Sequence, residues 1–371
     1  MPHVAGLRGV VTDPSSNAPA QDATRAVYRY HQAFAGPGGR TLTRKSVILA
    51  ARLAPWSEGM IRPHEETTPA QVEAVLAQLR ATRTVADPVL AGIRDGASEI
   101  DRLFKKVDAT PPTVETTTPD GVTHRVWRVQ DAELFGKLRS YLTPKKLHVL
   151  DGHDRYEAML AYQAELASKQ DLATYSSANY ALTCVVPMDD AALLAAARHK
   201  VVRGLTQKRE DILAAASTYF IVDKLAGAAA DLARMGAALA DTLAHQPAVV
   251  VVFAGEPDAW KLTLSPEVSL ASAGVTTVDR RIAKLDAVVA EHLLLRKLAG
   301  AQVSTETDAT HALAALAKGA SAAVILRPLT VEQIAHVDEI GQRLPPQTTA
   351  FYPPLARGLV GMVIAPDEDL V

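Results

Sequence analysis

Apolar positions recur along the chain with two periods, and the segments that carry them alternate. Spacings of three and four residues, the period of an amphipathic helix, predict helices over 24–34, 69–82, 97–107, 132–142, 155–168, 208–216, 225–245, 282–299, 309–318 and 331–343. Short aliphatic or alternating runs predict strands at 46–53, 89–93, 112–117, 122–129, 147–150, 180–186, 249–253, 261–264, 322–326 and 359–364. Thr68-Pro69 with Gln71, and Thr330 with Gln333, follow the order of an N-cap and a capping box. Pro119-Asp120-Gly121, between two alternating runs, predicts a hairpin. The expected fold class is therefore α/β (α+β), a mixed sheet with several helices plus a second helical and strand subdomain. A boundary near Pro187–Asp190 would separate a motif-bearing portion, 1–187, from a C-terminal α/β portion, 188–371, ending in a proline-rich crossing loop and a strand.

Composition narrows the class. The chain has 371 residues, 48% of them hydrophobic, with 41 acidic against 39 basic side chains. That is long and apolar enough for a sizeable core, and too balanced in charge for a disordered chain or an electrostatic nucleic-acid binder. Aromatics at 5% do not suit a stacking platform for single strands. The one cysteine, Cys184, has no internal disulfide partner. The longest aliphatic run, Ala248–Ala254, is far short of the roughly 20 residues that cross a bilayer. Met1–Asp13 lacks the pattern of a signal peptide. These features lead us to expect a cytoplasmic protein with a small-molecule partner and neither membrane nor nucleic acid.

The signatures of P-loops, Rossmann dinucleotide sites, zincins, serine hydrolases and C-x-x-C redox sites are absent from the sequence. Four stretches remain. Arg62-Pro63-His64-Glu65-Glu66-Thr67-Thr68 sets an imidazole and two carboxylates ahead of a capped helix. Either they cap or decorate the helix start, or an anion sits on its free N–H groups while a carboxylate beside it abstracts a proton. Asp151-Gly152-His153-Asp154-Arg155 lies between a predicted strand and helix, where ligands of open α/β sheets gather. It is either a plain turn with Arg155 paired to a carboxylate, or a cradle in which Asp151 holds a metal ion and His153 and Arg155 hold phosphate. Arg198-His199-Lys200 with Arg203 is either solvated charge or part of an anion pocket. Leu344–Pro354 is too proline-rich for a helix or a central strand and reads as an ordered crossing loop.

Taken together and in order, these stretches resemble the bacterial and archaeal domain-of-unknown-function family 1015, with its H-E-x-T, D-G-H-H-R, H-R and P-P-K-S-T-x-F-x-P-K-x-x-x-G-L segments. The counterparts are His64-Glu65-Glu66-Thr67, Asp151-Gly152-His153-Asp154-Arg155, His199-Lys200, and Pro345–Pro354 followed by Gly358-Leu359. The turn at Gly152 is similar to the phosphate-binding turn of the ParB and sulfiredoxin superfamily, which includes archaeal ADP-dependent free-serine kinases. That resemblance implies a small-molecule phosphotransferase using ADP or ATP and Mg²⁺. Glu65 would be the base, with His64, Asp151 and His153 beside it in the catalytic set and Asp151 on the metal. Gly152, Arg155, Thr67, His199 and Lys200 would bind the nucleotide phosphates. Asp154, Gln347 and Pro354 depart from the family's histidine and two lysines, which leaves open a binding module without catalysis. A metal-assisted hydrolase using His64, Glu65, Asp151 and His153 is the third alternative.

Overall fold

In the computed structural model, which describes residues 3–12, 19–243 and 245–371, the chain divides into two units. One comprises Met1–Leu194 with Phe351–Val371, the other Ala195–Ala350. The C-terminal strand, expected with the second portion, thus belongs to the first. Mixed α and β structure fills both units.

The first unit is built on a nine-stranded mixed sheet. Its order is Ile61–Pro63, Leu147–Asp151, Val89–Ile93, Tyr180–Pro187, Thr41–Arg52, Val27–Ala35, Thr123–Val129 and Val114–Thr117, with Val4–Ala5 beside Thr41–Arg52. Ile61–Pro63 runs parallel to Leu147–Asp151, and Val89–Ile93 to Tyr180–Pro187; the other pairs are antiparallel. Central strands such as Val47–Ala51 are buried on both faces, so they read as unbroken apolar runs. Helices α1 (Pro69–Thr82), α2 (Glu99–Asp108), α3 (Ala132–Leu142) and α4 (His153–Ala167) belong to this unit. A smaller sheet orders Pro19–Gln21, Gly9–Thr12, Val360–Val363 and Thr84–Val85.

The second unit is a six-stranded antiparallel sheet ordered Phe220–Leu225, Ala259–Leu264, Ala248–Phe253, Ala322–Ile325, His199–Arg203 and Gln302–Glu306. Along Ala248–Phe253, Val249, Val251 and Phe253 join one core with α5 (Arg209–Ala216), α7 (Asp286–Leu293) and α9 (Val331–Glu339). Val250 and Val252 join the opposite core with α6 (Leu232–Ala240) and α8 (Ala309–Ala314). Two apolar faces per strand explain the uninterrupted aliphatic run.

Several expectations are corrected by burial. The helix expected over 24–34 is the strand Val27–Ala35, and the basic stretch at 199–203 is a strand rather than solvated charge, with His199 and Lys200 buried. In both, partnered polar side chains occupy buried positions and erase the alternation that marks a strand. The helix expected over 225–245 is confined to α6; a turn at Gly227, where φ is +70°, follows the strand ending at Leu225, and Ala244 lies outside the described residues. Within the expected crossing loop, Thr349–Tyr352 is a short strand. The capping box at Thr330 forms. At Thr68 it does not: the backbone N–H that Gln71 would accept is taken by Asp154 at 3.1 Å, and Thr68 donates its hydroxyl to Gln71 at 2.6 Å.

The polar face of Val27–Ala35 is neutralised by α2. Arg29, wholly buried, donates from Nε and Nη2 to Asp108, 3.0 Å each, and from Nη2 to Asp101 at 2.6 Å. His31 Nε2 lies 3.2 Å from Asp108. Burial opposes ionisation of Asp108, but His31 and Arg29 outweigh it and hold the carboxyl well below its ordinary range. A depressed carboxyl contributes stability above its unfolded pKa and loses it only as pH falls through the folded value. Asp108→Asn is therefore expected to cost about 2–4 kcal/mol at pH 7, because it leaves a buried guanidinium short of charge. In urea denaturation the deficit should persist down to about pH 4, the usual carboxylate range; an unchanged midpoint would contradict this reading.

Candidate functional site

The parallel pairing of Ile61–Pro63 with Leu147–Asp151, in which Val149 stands opposite Pro63, points both chains toward the same end of the sheet. The residues that follow, His64-Glu65 and Gly152-His153, are delivered to neighbouring positions although they are far apart in sequence. Gly152 makes the turn with φ at +91°, a region closed to most L-residues. A Cβ there would also lie 2.6 Å from the Arg155 guanidinium. His153 then opens α4, whose first turn faces the segment 64–68.

The contacts across this junction are specific. The His64 backbone N–H donates to His153 Nε2 at 3.3 Å, so that nitrogen accepts, and the His153 ring is neutral while this bond is made. The His64 and His153 rings meet edge to face with centroids 4.6 Å apart. His64 Nδ1–H donates to the Val149 carbonyl at 2.7 Å, which turns Nε2 toward Glu65 Oε1, 3.6 Å away. His64, Glu65 and His153 are 0%, 6% and 6% exposed. A buried carboxylate beside an oriented imidazole can exchange a proton with a bound hydroxyl. Two residues on from Glu65, Thr67 donates its hydroxyl to Glu157, and the Thr68 N–H donates to Asp154. Burial, together with the charges of Glu65 and Glu157, raises the Asp154 pKa against the Thr68 hydrogen bond and Arg155. Glu157, to which the sequence reading gave no role, sits one helical turn beyond Asp154; that i, i+3 spacing was its available signal.

The remaining candidate residues are placed as follows. Arg155 Nη2 donates to Asp151 at 3.0 Å and to the Pro88 carbonyl at 3.2 Å, which folds the guanidinium over Gly152. Asp151 is the half-exposed carboxylate at the mouth of the turn. Among the described residues no group of three or more His, Cys, Asp or Glu side chains is arranged to hold a metal ion. One carboxylate plus substrate phosphates is nevertheless a known way to hold hydrated Mg²⁺. His199 and Lys200 belong to the second unit. There His199 Nδ1 accepts from the Leu326 N–H at 3.2 Å, burial lowers the His199 pKa, and Lys200 donates to the Gln347 carbonyl at 2.9 Å. No described helix is long and apolar enough to cross a membrane.

The fold is thus that of a two-unit α+β protein with a strand–glycine–helix turn after the strand next to the edge of its first sheet. The chain belongs to the family described as protein of unknown function (DUF1015), which matches residues 16–288. No curated protein matches significantly. Among solved structures, the chain is similar to a conserved hypothetical protein from Pyrococcus furiosus, with 11% identity, 84% of this chain and 93% of that one covered, and a TM-score of 0.42. It is also similar to a free serine kinase in complex with AMP, with 12% identity, 84% and 88% coverage and a TM-score of 0.42. A C-terminally truncated SbnI from Staphylococcus aureus shows 12% identity, 82% and 85% coverage and a TM-score of 0.40.

A carboxyl whose pKa is raised on folding contributes stability when protonated and loses it as pH rises through the raised value. Ionised Asp154 should therefore cost stability at neutral pH. Asp154→Asn keeps the acceptor for Thr68 and removes the charge, so its melting temperature should exceed that of the wild type at pH 7. The gain, below about 1 kcal/mol because the group is partly open to solvent, should shrink to nothing below about pH 4. Differential scanning calorimetry across this range checks it, and a lower melting temperature at pH 7 would contradict it.

Proposed function

We propose that the first unit binds a nucleotide with its phosphates at the Gly152–Arg155 turn and transfers a phosphoryl group to the hydroxyl of a small molecule. The observation that carries this reading is the burial of the Glu65 carboxylate beside His64 at the very turn that opens α4. In this reading Glu65 takes the proton of the acceptor hydroxyl. His64, locked by the Val149 carbonyl, orients Glu65, and His153 positions the His64 backbone. Thr67 is held by Glu157 at the rim. Arg155 exchanges its bond to Asp151 for a phosphate oxygen, a charge-assisted contact of the stronger kind. Asp151, so released, would hold Mg²⁺, which neutralises charge on transferring phosphates when bound. Phosphoryl transfer needs positioning and charge neutralisation more than covalent chemistry, and these residues supply both.

A second reading, binding without transfer, is favoured by Asp154. Its carboxylate already occupies an N–H beside the helix start, and its charge opposes a phosphate there. One experiment separates the two. Thermal stabilisation by ADP and ATP should reach about 3–4 kcal/mol at 100- to 1,000-fold excess over Kd. Transfer to a panel of hydroxy amino acids is expected for the wild type and should fall at least about 100-fold in Glu65→Gln, with nucleotide affinity retained. Binding without turnover on any acceptor supports the module, and the absence of nucleotide stabilisation overturns both.

A further inference from the structure

Leu90 stands opposite Asp151 in the antiparallel pairing of Val89–Ile93 with Leu147–Asp151. The two residues that precede Val89–Ile93, Asp87 and Pro88, therefore run past Gly152 and His153. The Pro88 carbonyl accepts from Arg155 Nη2 at 3.2 Å, as that register requires. Among the described residues, two buried atoms at this corner lack a hydrogen-bond partner, Asp87 Oδ1 and Arg155 Nε. Few buried polar atoms of a native protein are left so, and each asks for a reason.

That these two atoms do not satisfy each other is the informative part. A carboxylate and a guanidinium on either side of one proline carbonyl would ordinarily pair, yet Arg155 pairs with Asp151. Asp87 has only Arg357 within ion-pair distance among the described residues, 3.9 Å from its Oδ2 and exposed. Such a pair in water contributes almost nothing. The Gly358 N–H, donating to the Ala86 carbonyl at 3.3 Å, keeps Arg357 in that place. All of these residues belong to the first unit. The corner thus holds an unused donor over Gly152 and an unused acceptor one residue from Pro88. An ionised carboxylate can only accept, so its partner must donate. A nucleotide carries the complement of both, an anionic phosphate and, one ribose away, hydroxyl donors.

We propose that Asp87 holds a ribose hydroxyl of the nucleotide and so makes the site selective for ribonucleotides, an inference that rests on the phosphate reading of the turn. Arg155 lies on the Pro88 carbonyl, and its swing to a phosphate uncovers the Asp87 corner. Oδ1 then accepts from the 2′- or 3′-hydroxyl, as carboxylates do in dinucleotide sites. Arg357 offsets the charge of Asp87, which would otherwise repel the neighbouring phosphates.

Isothermal titration calorimetry of the full chain with pyrophosphate, ADP, 2′-deoxy-ADP and 3′-deoxy-ADP tests this. ADP should bind at least about tenfold tighter than one of the two deoxy analogues, the scale of a hydrogen bond to a charged group. Asp87→Ala should lower ADP affinity by the same factor and abolish the preference, while pyrophosphate binds within about twofold of wild type or tighter. Asp87→Asn, which keeps the shape and loses the charge, should retain only part of the preference. Arg155→Ala should weaken all four ligands, because the phosphates are common to them. If pyrophosphate and ADP bind but both deoxy analogues match ADP, or the preference persists in Asp87→Ala, the ribose contact is refuted and the phosphate reading stands. If neither pyrophosphate nor ADP binds, the phosphate reading falls and the ribose contact falls with it.

Discussion

The parallel pairing of two short strands, Ile61–Pro63 and Leu147–Asp151, is the constraint on which the candidate site depends. Parallel neighbours end at the same side of a sheet, so the residues after them meet without help from any local spacing. Gly152 converts the end of one strand into the start of α4, and the His64 backbone binds the first side chain of that helix. Remove the left-handed turn and His153 leaves His64. Remove the His64 contact to Val149 and the imidazole loses its orientation toward Glu65. The chemistry proposed for Glu65 is therefore a consequence of strand pairing first and of side chains second.

Elsewhere in the first unit, buried charge performs the fastening. Arg44, almost fully buried, has no carboxylate within ion-pair distance among the described residues. It donates instead to Gln32 and to the Pro353 carbonyl at 2.6 Å, while Gln32 donates to the Pro354 carbonyl at 2.8 Å. Desolvation lowers the Arg44 pKa, the cost of solvating a guanidinium with neutral dipoles. Those bonds tie the proline-rich segment to strands laid down some three hundred residues earlier in the sequence, which is how Phe351–Val371 becomes part of the first unit. A buried network of this kind specifies a position more than it adds net stability.

The same networks mark the limit of what the sequence reveals. Helix 132–142, strand 89–93 and the hairpin at Pro119-Asp120-Gly121 were legible because period, cap and turn residues agree locally. Strands 27–35 and 199–203 were not, since Arg29, His31, Gln32 and Lys200 break the pattern and are neutralised by partners that only the fold supplies. At the site, His64, Glu65 and the Gly152 turn stood out as residue types. The neutral state of His153, the grip of Asp154 on Thr68 and the place of Glu157 depend on register and could not be read from spacing.

The central claim is that a phosphate sits on the Gly152–Arg155 turn within reach of Glu65. A crystal structure of the protein with bound ADP tests it most directly. The account predicts the terminal phosphate in contact with backbone N–H groups of the turn and with Arg155, which swings off Asp151, and the Glu65 carboxylate close enough to admit one hydroxyl between, about 3 Å from each. Phosphate density anywhere else, with Arg155 still closed over Gly152, would contradict it.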